Sequence, residues 1–344
     1  MRSSQDIAAE NNIGTPKKRN EAIDFVKGFL VLLMVVYHVL NYLHYESVPH
    51  RYLGFLPCSF IMITGFLVTQ VYFHKYKINP KAVGSRLAIR AIKLVLIFIV
   101  LNLAARIMWS NDRSETGLII FSFFKNWQNI FIFGNIEKVA FDVLLPISYT
   151  LFFSIFILKF QGITASFTNA FAIVVTVLCI FLSIENRSAY NLYLLSSGII
   201  GLALGGMQLT TVDKFANSWL FIAALILIYL ALFFSKIDNY FSQIVTTFIS
   251  LILFYALASS IKTERWWFQQ VSLLGKFSLL SYIVQILFLQ VTKNMMGSVD
   301  ENLLEKTIMF IVITTLFTWL SVLFTYYAKT KSKAFAWIYN AVFA

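Results

Sequence analysis

The chain has 344 residues, of which 59% are hydrophobic, 17% aromatic and only 13% charged. A soluble domain carries about 25% charged residues, so this composition excludes an ordinary globule and describes a polytopic membrane protein. The formal net charge of +12 would suit nucleic acid, but the basic residues gather in loops on one side of the predicted topology, which makes the charge a topology signal and gives no nucleic-acid partner.

Residues 1–22, rich in Ser, Asn, Glu and Gln, contain no apolar signal-peptide core and read as a disordered cytoplasmic tail. Apolar runs long enough to span then fall near 25–43, 53–73, 87–108, 138–159, 167–184, 190–209, 216–234, 241–261, 270–294 and 304–328. They predict an all-α membrane bundle of ten helices within one domain, residues 23–330, followed by a cytoplasmic tail, 331–344. An eleventh run, 118–133, is broken at its centre by Lys125, Asn126, Gln128 and Asn129. With ten spans and the N-terminus inside, most of the 28 Lys and Arg lie on the inner side. An eleventh would carry Lys159, Lys214, Lys262, Arg265, Lys276, Lys329, Lys331 and Lys333 outside and reverse the bias. The expectation is therefore ten spans, both termini cytoplasmic, with 109–137 an outer loop that enters the bilayer as an amphipathic or re-entrant piece.

The first run carries three ionisable groups. Eleven steps along the chain lead from Lys27 to His38, which leaves them about 20° apart around a helix and about 16.5 Å apart along it. Asp24 falls on the same stripe. Ionisable groups in a span face a bundle interior or a cavity, so the stripe is a candidate functional site; the plain alternative is that Asp24 and Lys27 mark the helix end and a neighbouring helix satisfies His38. Asp142 begins the fourth run at a depth similar to that of His38. Arg86, Arg90 and Lys93 open the third run on one face, where binding to lipid headgroups is the ordinary use.

The later runs read mainly as scaffold. Gly198, Gly201, Gly205 and Gly206 are small residues that let helices approach closely, and Ser281, Tyr282 and Gln285 are polar groups expected to make packing hydrogen bonds. Cys58 and Cys179 lie in apolar runs and offer neither a disulfide framework nor a CxxC metal site. His44, His50 and His74 fall in solvated or interfacial positions, so no metal site is expected. HExxH, Walker A and GxSxG motifs are absent.

Several segments resemble a known family. AIDFVKGFLVLLMVVYHVL, with ten residues between Lys27 and His38, resembles the opening of the acyltransferase-3 family of integral membrane acyltransferases, where arginine is commoner at the first place. FIMITGFLV is similar to the family's SGF-type segment, with Thr64, Gly65 and Phe66 in the corresponding places. RLAIRAIKLVLIFIV resembles its third helix, with Arg86 and Arg90 matching the basic pair. AFDVLLPISYTLFF and LGKFSLLSYIVQILFL are similar to the wider superfamily of heparan-glucosaminide acetyltransferase-like and glucan succinyltransferase-like proteins. The chain departs from the pattern twice: Glu137, Lys138 and Asp142 compete for the place of the family's glutamate, and Gln285 stands where relatives often carry histidine.

The resemblance implies a multi-pass cell-membrane enzyme that moves an acyl group, most often acetyl, from cytoplasmic acyl-CoA to a hydroxyl of a cell-surface carbohydrate or lipid-linked glycan. On that reading His38 is the general base and Asp142 orients it. Lys27, Arg86, Arg90 and Lys93 hold the CoA phosphates, and Asp24 and Gly65 serve structural or orienting roles. Direct transfer and an acyl-histidine relay both remain open. The competing class is a polytopic transporter or flippase for a glycan or lipid, which would carry broken helices in matching halves; a structural membrane subunit is the third.

Overall fold

The computed structural model describes residues 20–42, 52–109, 116–134, 141–160, 190–207, 209–235, 240–296 and 303–343. The expected span at 167–184 and residues 1–19 of the expected tail lie outside them. Among the described residues every regular element is helical.

Helix α1, Glu21–Tyr42, begins where Asn20 caps it, its side-chain oxygen accepting the Ile23 N–H at 3.2 Å. Helix α2, Phe55–Ile78, and helix α3, Pro80–Trp109, meet at Asn79. Asn79 accepts the Ala82 N–H at 3.1 Å, and Pro80 takes the first helical position, where its missing N–H costs nothing.

Between the third and fourth expected spans the described residues 116–134 are helical too: α4, Thr116–Lys125, leads into a π-helix, Gln128–Phe133, which Gly134 ends at φ +70°. Phe123 and Ile130 sink into the core while Phe121, Phe124 and Trp127 stay exposed. Backbone carbonyls left over by the π-helix would be costly in lipid. Asn191 answers them, donating to the Ile130 and Phe131 carbonyls at 3.0 and 3.2 Å, and the Tyr149 hydroxyl donates to Phe131 at 2.6 Å.

The remaining described helices are α5, Leu144–Phe160, α6, Tyr190–Leu204, α7, Leu209–Ala216, α8, Trp219–Ser235, α9, Tyr240–Ser260, α10, Trp266–Lys276, α11, Ser278–Met296, α12, Leu303–Lys331, and α13, Lys333–Phe343. Five described helices are long and apolar enough to cross a membrane, and up to seven if each bent pair is one span; the apolar helices Leu144–Ile157 and Trp219–Ser235 are shorter. The run expected as one span at 270–294 differs from expectation. It breaks at Phe277, between Lys276 and Ser278, with an 84° bend between α10 and α11.

The outward faces fit a multi-pass membrane protein. On α12 the exposed residues Ile308, Val312, Leu316, Leu320 and Phe324 recur every four positions, whereas Thr307, Thr314, Thr318 and Thr325 are buried on the other face. Lipid reverses the ordinary pattern, because it solvates apolar side chains and leaves hydroxyls to the bundle interior. There two of them turn back on their own helix: Thr318 donates to the Thr314 carbonyl at 2.7 Å and Thr325 to that of Ser321 at 2.8 Å.

Two glycine contacts hold the bundle together. A Cβ on Gly65 of α2 would stand 2.1 Å from the Gly198 carbonyl oxygen of α6, and one on Gly201 would stand 2.1 Å from that of Met62. Gly205 faces the Phe66 carbonyl in the same way, at 2.6 Å. Gly206, expected to share this seam, has only its own turn within reach. Thr69 donates across the seam to the Leu202 carbonyl at 2.9 Å, and Gln70 donates to Gly205 and Met207 at 2.9 and 2.7 Å. The second contact joins α1 to α10. A Cβ on Gly28 would lie 1.8 Å from the Val271 carbonyl oxygen, and one on Gly275 would lie 1.8 Å from that of Asp24.

Candidate active site

The site forms where the Tyr42 end of α1, the turn before α5 and the first half of α11 converge. His38 lies on α1, and its Nε2 is buried without a hydrogen-bond partner among the described residues. Tyr37 stands edge-on to the imidazole with centroids 5.3 Å apart, and the Tyr282 ring of α11 lies 6.1 Å from it at 48°.

Tyr282 links this ring to the carboxylate. Its hydroxyl donates to Asp142 Oδ1 at a long 3.5 Å, and the same oxygen accepts the Val143 N–H at 2.9 Å. Phe141, beside Asp142, is buried with φ +63°, a left-handed conformation that a bulky side chain adopts only when its surroundings impose it. Its ring packs edge-on against Tyr282, centroids 6.2 Å apart. Asp142 was expected to orient His38; its hydrogen bonds go to Tyr282 and its own turn, and Tyr282 meets the imidazole through a ring contact.

The three polar groups singled out on α11 have three different fates. Ser281 donates to the Phe277 carbonyl at 3.1 Å, a packing hydrogen bond as expected. Tyr282 joins the site. Gln285, one turn further on, is fully buried, and neither its amide nitrogen nor its oxygen has a partner among the described residues.

The other sequence candidates are spread along the bundle. Lys27 Nζ pairs with Asp24 Oδ1 at 3.0 Å, with Asp24 nearly buried beside the α1–α10 glycine contact. On α3, Arg86 is exposed. Arg90 donates to the Tyr72 hydroxyl at 2.8 Å with its guanidinium 6.0 Å from that ring's centroid, and Lys93 donates to the Asn340 carbonyl of α13 at 3.4 Å. Helices α1 and α3 each pack on α2, so Lys27 and the basic face of α3 sit on two elements with a third between them. Gly65 lies in the α2–α6 seam. Among the described residues no group of three or more His, Cys, Asp or Glu is placed to hold a metal ion.

Sequence reasoning missed a second buried network and the part Tyr282 plays. The Cys58 thiol donates to the Tyr193 hydroxyl at 2.9 Å, which donates to Gln243 Oε1 at 3.1 Å, tying α2, α6 and α9. Polar side chains inside apolar runs were the available signal for both; which of them meet depends on contacts between residues far apart in the chain.

No protein-family model matches the chain, and no curated protein or solved structure matches it.

Proposed function

We propose that the chain is a multi-pass membrane O-acyltransferase with about ten spans and both termini cytoplasmic, moving an acyl group, most often acetyl, from acyl-CoA to a hydroxyl of a cell-surface carbohydrate or lipid-linked glycan. The observation that carries this reading is the buried His38 nitrogen with no partner among the described residues, on a ring flanked by Tyr282, which in turn bonds Asp142. A buried polar atom left unmatched costs about 1–3 kcal/mol, a cost that a substrate proton would recover.

In this reading His38 takes the proton of the acceptor hydroxyl, the oxygen attacks the thioester carbonyl, the C–S bond breaks, and the proton returns to the departing CoA thiolate. An imidazole, with an ordinary pKa of about 6.5, is suited to both proton transfers. Tyr282 fixes the face of the imidazole and communicates with Asp142, which makes it a positioning residue. Arg86 and Arg90 are the cations best placed to bind CoA phosphates, since Arg86 is exposed and Arg90 is held by Tyr72 at the start of α3. Lys93 would share its ammonium with the Asn340 carbonyl, and Lys27 would share its charge with Asp24.

A transporter for a glycan or lipid is the second reading, favoured by the bend between α10 and α11 and by Gln285, about two turns along α11, whose amide has no partner among the described residues. Purified protein in nanodiscs, given radiolabelled acetyl-CoA and a panel of other acyl-CoAs, separates the two. Saturable binding with release of free CoA in the presence of glycan acceptor supports acyl transfer. Failure to bind any acyl-CoA, with glycan flux in proteoliposomes that needs none, would replace it by transport.

A further inference from the structure

Two side chains in the ground around His38 leave polar atoms unused. Gln285 of α11 is fully buried, and neither Oε1 nor Nε2 of its amide has a hydrogen-bond partner among the described residues; the same is true of His38 Nε2. The plain use of a glutamine in an apolar run is a packing hydrogen bond, such as Ser281 makes with the Phe277 carbonyl. Gln285 makes none among the described residues, although an unmatched buried amide is costly.

The two side chains share one place in the bundle. Tyr282, one turn before Gln285, lies against the His38 ring, and Leu289, one turn after it, clusters with Val35 and Val39, which flank His38 on α1. Gln285 stands about 60° around α11 from Tyr282 and about 40° from Leu289, so it is on the side of α11 that meets this stretch of α1. Further along, Tyr42 hydrogen-bonds Gln290, so α1 and α11 run in the same direction with Gln285 between the two contacts. Gln290 Oε1 is also unmatched among the described residues, but Tyr42 holds that side chain.

We infer that Gln285 seats the acceptor by two neighbouring hydroxyls beside His38, which makes the substrate class a carbohydrate with a vicinal diol. The unmatched atoms themselves select it. His38 Nε2, as a base, and Gln285 Oε1 each accept a hydrogen bond, and Gln285 Nε2 donates, so the ligand must bring two protons and a lone pair. The hydroxyl to be acylated donates to His38 Nε2 and accepts from Gln285 Nε2; the hydroxyl on the next carbon donates to Gln285 Oε1. The O–C–C–O edge of a gauche diol spans about as far as the N–C–O edge of an amide, so one carboxamide reaches both. A lone alcohol spends its proton on His38 and leaves Oε1 unmatched, and a thioester carbonyl only accepts. A trapped water also brings two protons and a lone pair, but it would make Gln285 blind to the acceptor's second hydroxyl. The inference rests on the acyl-transfer reading, to which it adds an acceptor-binding residue and the kind of acceptor.

The test gives the full chain in nanodiscs radiolabelled acetyl-CoA with methyl glucoside, methyl galactoside and methyl mannoside, and with versions of each lacking one ring hydroxyl at a time. Tandem mass spectrometry reads the acylated position, expected on a hydroxyl that has a hydroxyl neighbour. Removing that neighbour should lower kcat/KM about tenfold in the unaltered protein, because Oε1 is left unmatched. Gln285→Met should lower kcat/KM for the intact glycoside about ten- to a hundredfold and leave the KM for acetyl-CoA unchanged. It should also be indifferent to the missing neighbour, since both changes remove the same contact. Its thermal midpoint should rise by about 2–4 °C, as an unmatched buried amide is lost. Equal kcat/KM for a glycoside and its deoxy form in the unaltered protein would overturn the inference, as would a tenfold sensitivity retained in Gln285→Met or a fall in its thermal midpoint. So would acylation of a hydroxyl without a hydroxyl neighbour, or acetyl-CoA binding with transfer to none of the glycosides. Failure to bind any acyl-CoA is a different result, which removes the acyl-transfer reading itself and this inference with it. If Gln285→Met does not fold, the deoxygenation series on the unaltered protein decides.

Discussion

The α2–α6 seam and the ground around His38 lie in the same bundle and are built on opposite principles. At the seam, glycines bring backbones into contact, and Thr69 and Gln70 reach across to bond carbonyls of the partner strand of chain. Around His38 the helices meet through aromatic rings, Phe141 is held at a positive φ, and the buried His38 Nε2 and Gln285 amide have no partner among the described residues. Van der Waals packing and interhelical hydrogen bonds drive association in lipid, so the first region supplies stability and the second draws on it. The contrast separates residues whose loss unfolds the protein from residues whose loss only silences it.

The sharpest break should come at the glycine contacts. Gly275→Leu places a side chain where a Cβ already lies 1.8 Å from the Asp24 carbonyl oxygen; overpacking against backbone should cost about 3 kcal/mol or more. Loss of monodisperse protein in detergent is the expected outcome, and a thermal midpoint like that of the unaltered chain would show that α1 and α10 do not meet as described. Tyr282→Phe should act on the other side of the comparison, cutting acyl transfer about ten- to a hundredfold through the lost hydrogen bond to a carboxylate. Its thermal midpoint and its KM for acyl-CoA should hardly move; a rise in KM with unchanged kcat would give Tyr282 a binding role instead.

A smaller effect is expected at the start of α3. Arg90→Ala should raise the KM for acyl-CoA about tenfold, with kcat retained, as one charge-assisted phosphate contact is lost; steady-state kinetics over a range of acyl-CoA concentrations checks this. Smallest of all, Gly84→Ala meets nothing nearer than the Ile155 Cγ2 at 3.7 Å. Replacing a helical glycine where there is room should raise stability by about 0.5–1 kcal/mol, seen as a slightly higher thermal midpoint with activity unchanged.

Much of the architecture was legible because lipid leaves a chain few options: stretches of about 20 apolar residues must close their own backbone hydrogen bonds as helices. The glycines of α6 were readable as a contact face, though Gly65 as their counterpart depended on tertiary pairing. The bend at Phe277 carried no signal. No proline marks it, Lys276 beside it counted only toward the inner-side charge, and Gly275 two residues earlier is taken up by contact with α1. The stripe of Asp24, Lys27 and His38 was visible as a spacing, but the Asp24–Lys27 ion pair ties two of its members to each other. Asp142 and Tyr282 are 140 residues apart in sequence. Each stood out as a polar group in an apolar run, and nothing local could say that they meet.

The central claim is that His38 moves the acceptor's proton, and the most direct measurement is single-turnover transfer from radiolabelled acetyl-CoA to a glycan acceptor by unaltered protein and by His38→Ala, with acyl-CoA binding and thermal midpoint measured on the same samples. The account predicts a loss in rate of about 10²–10⁴-fold, the span of general-base catalysis, with binding and thermal midpoint preserved. Transfer by His38→Ala at a rate near that of the unaltered protein would contradict it.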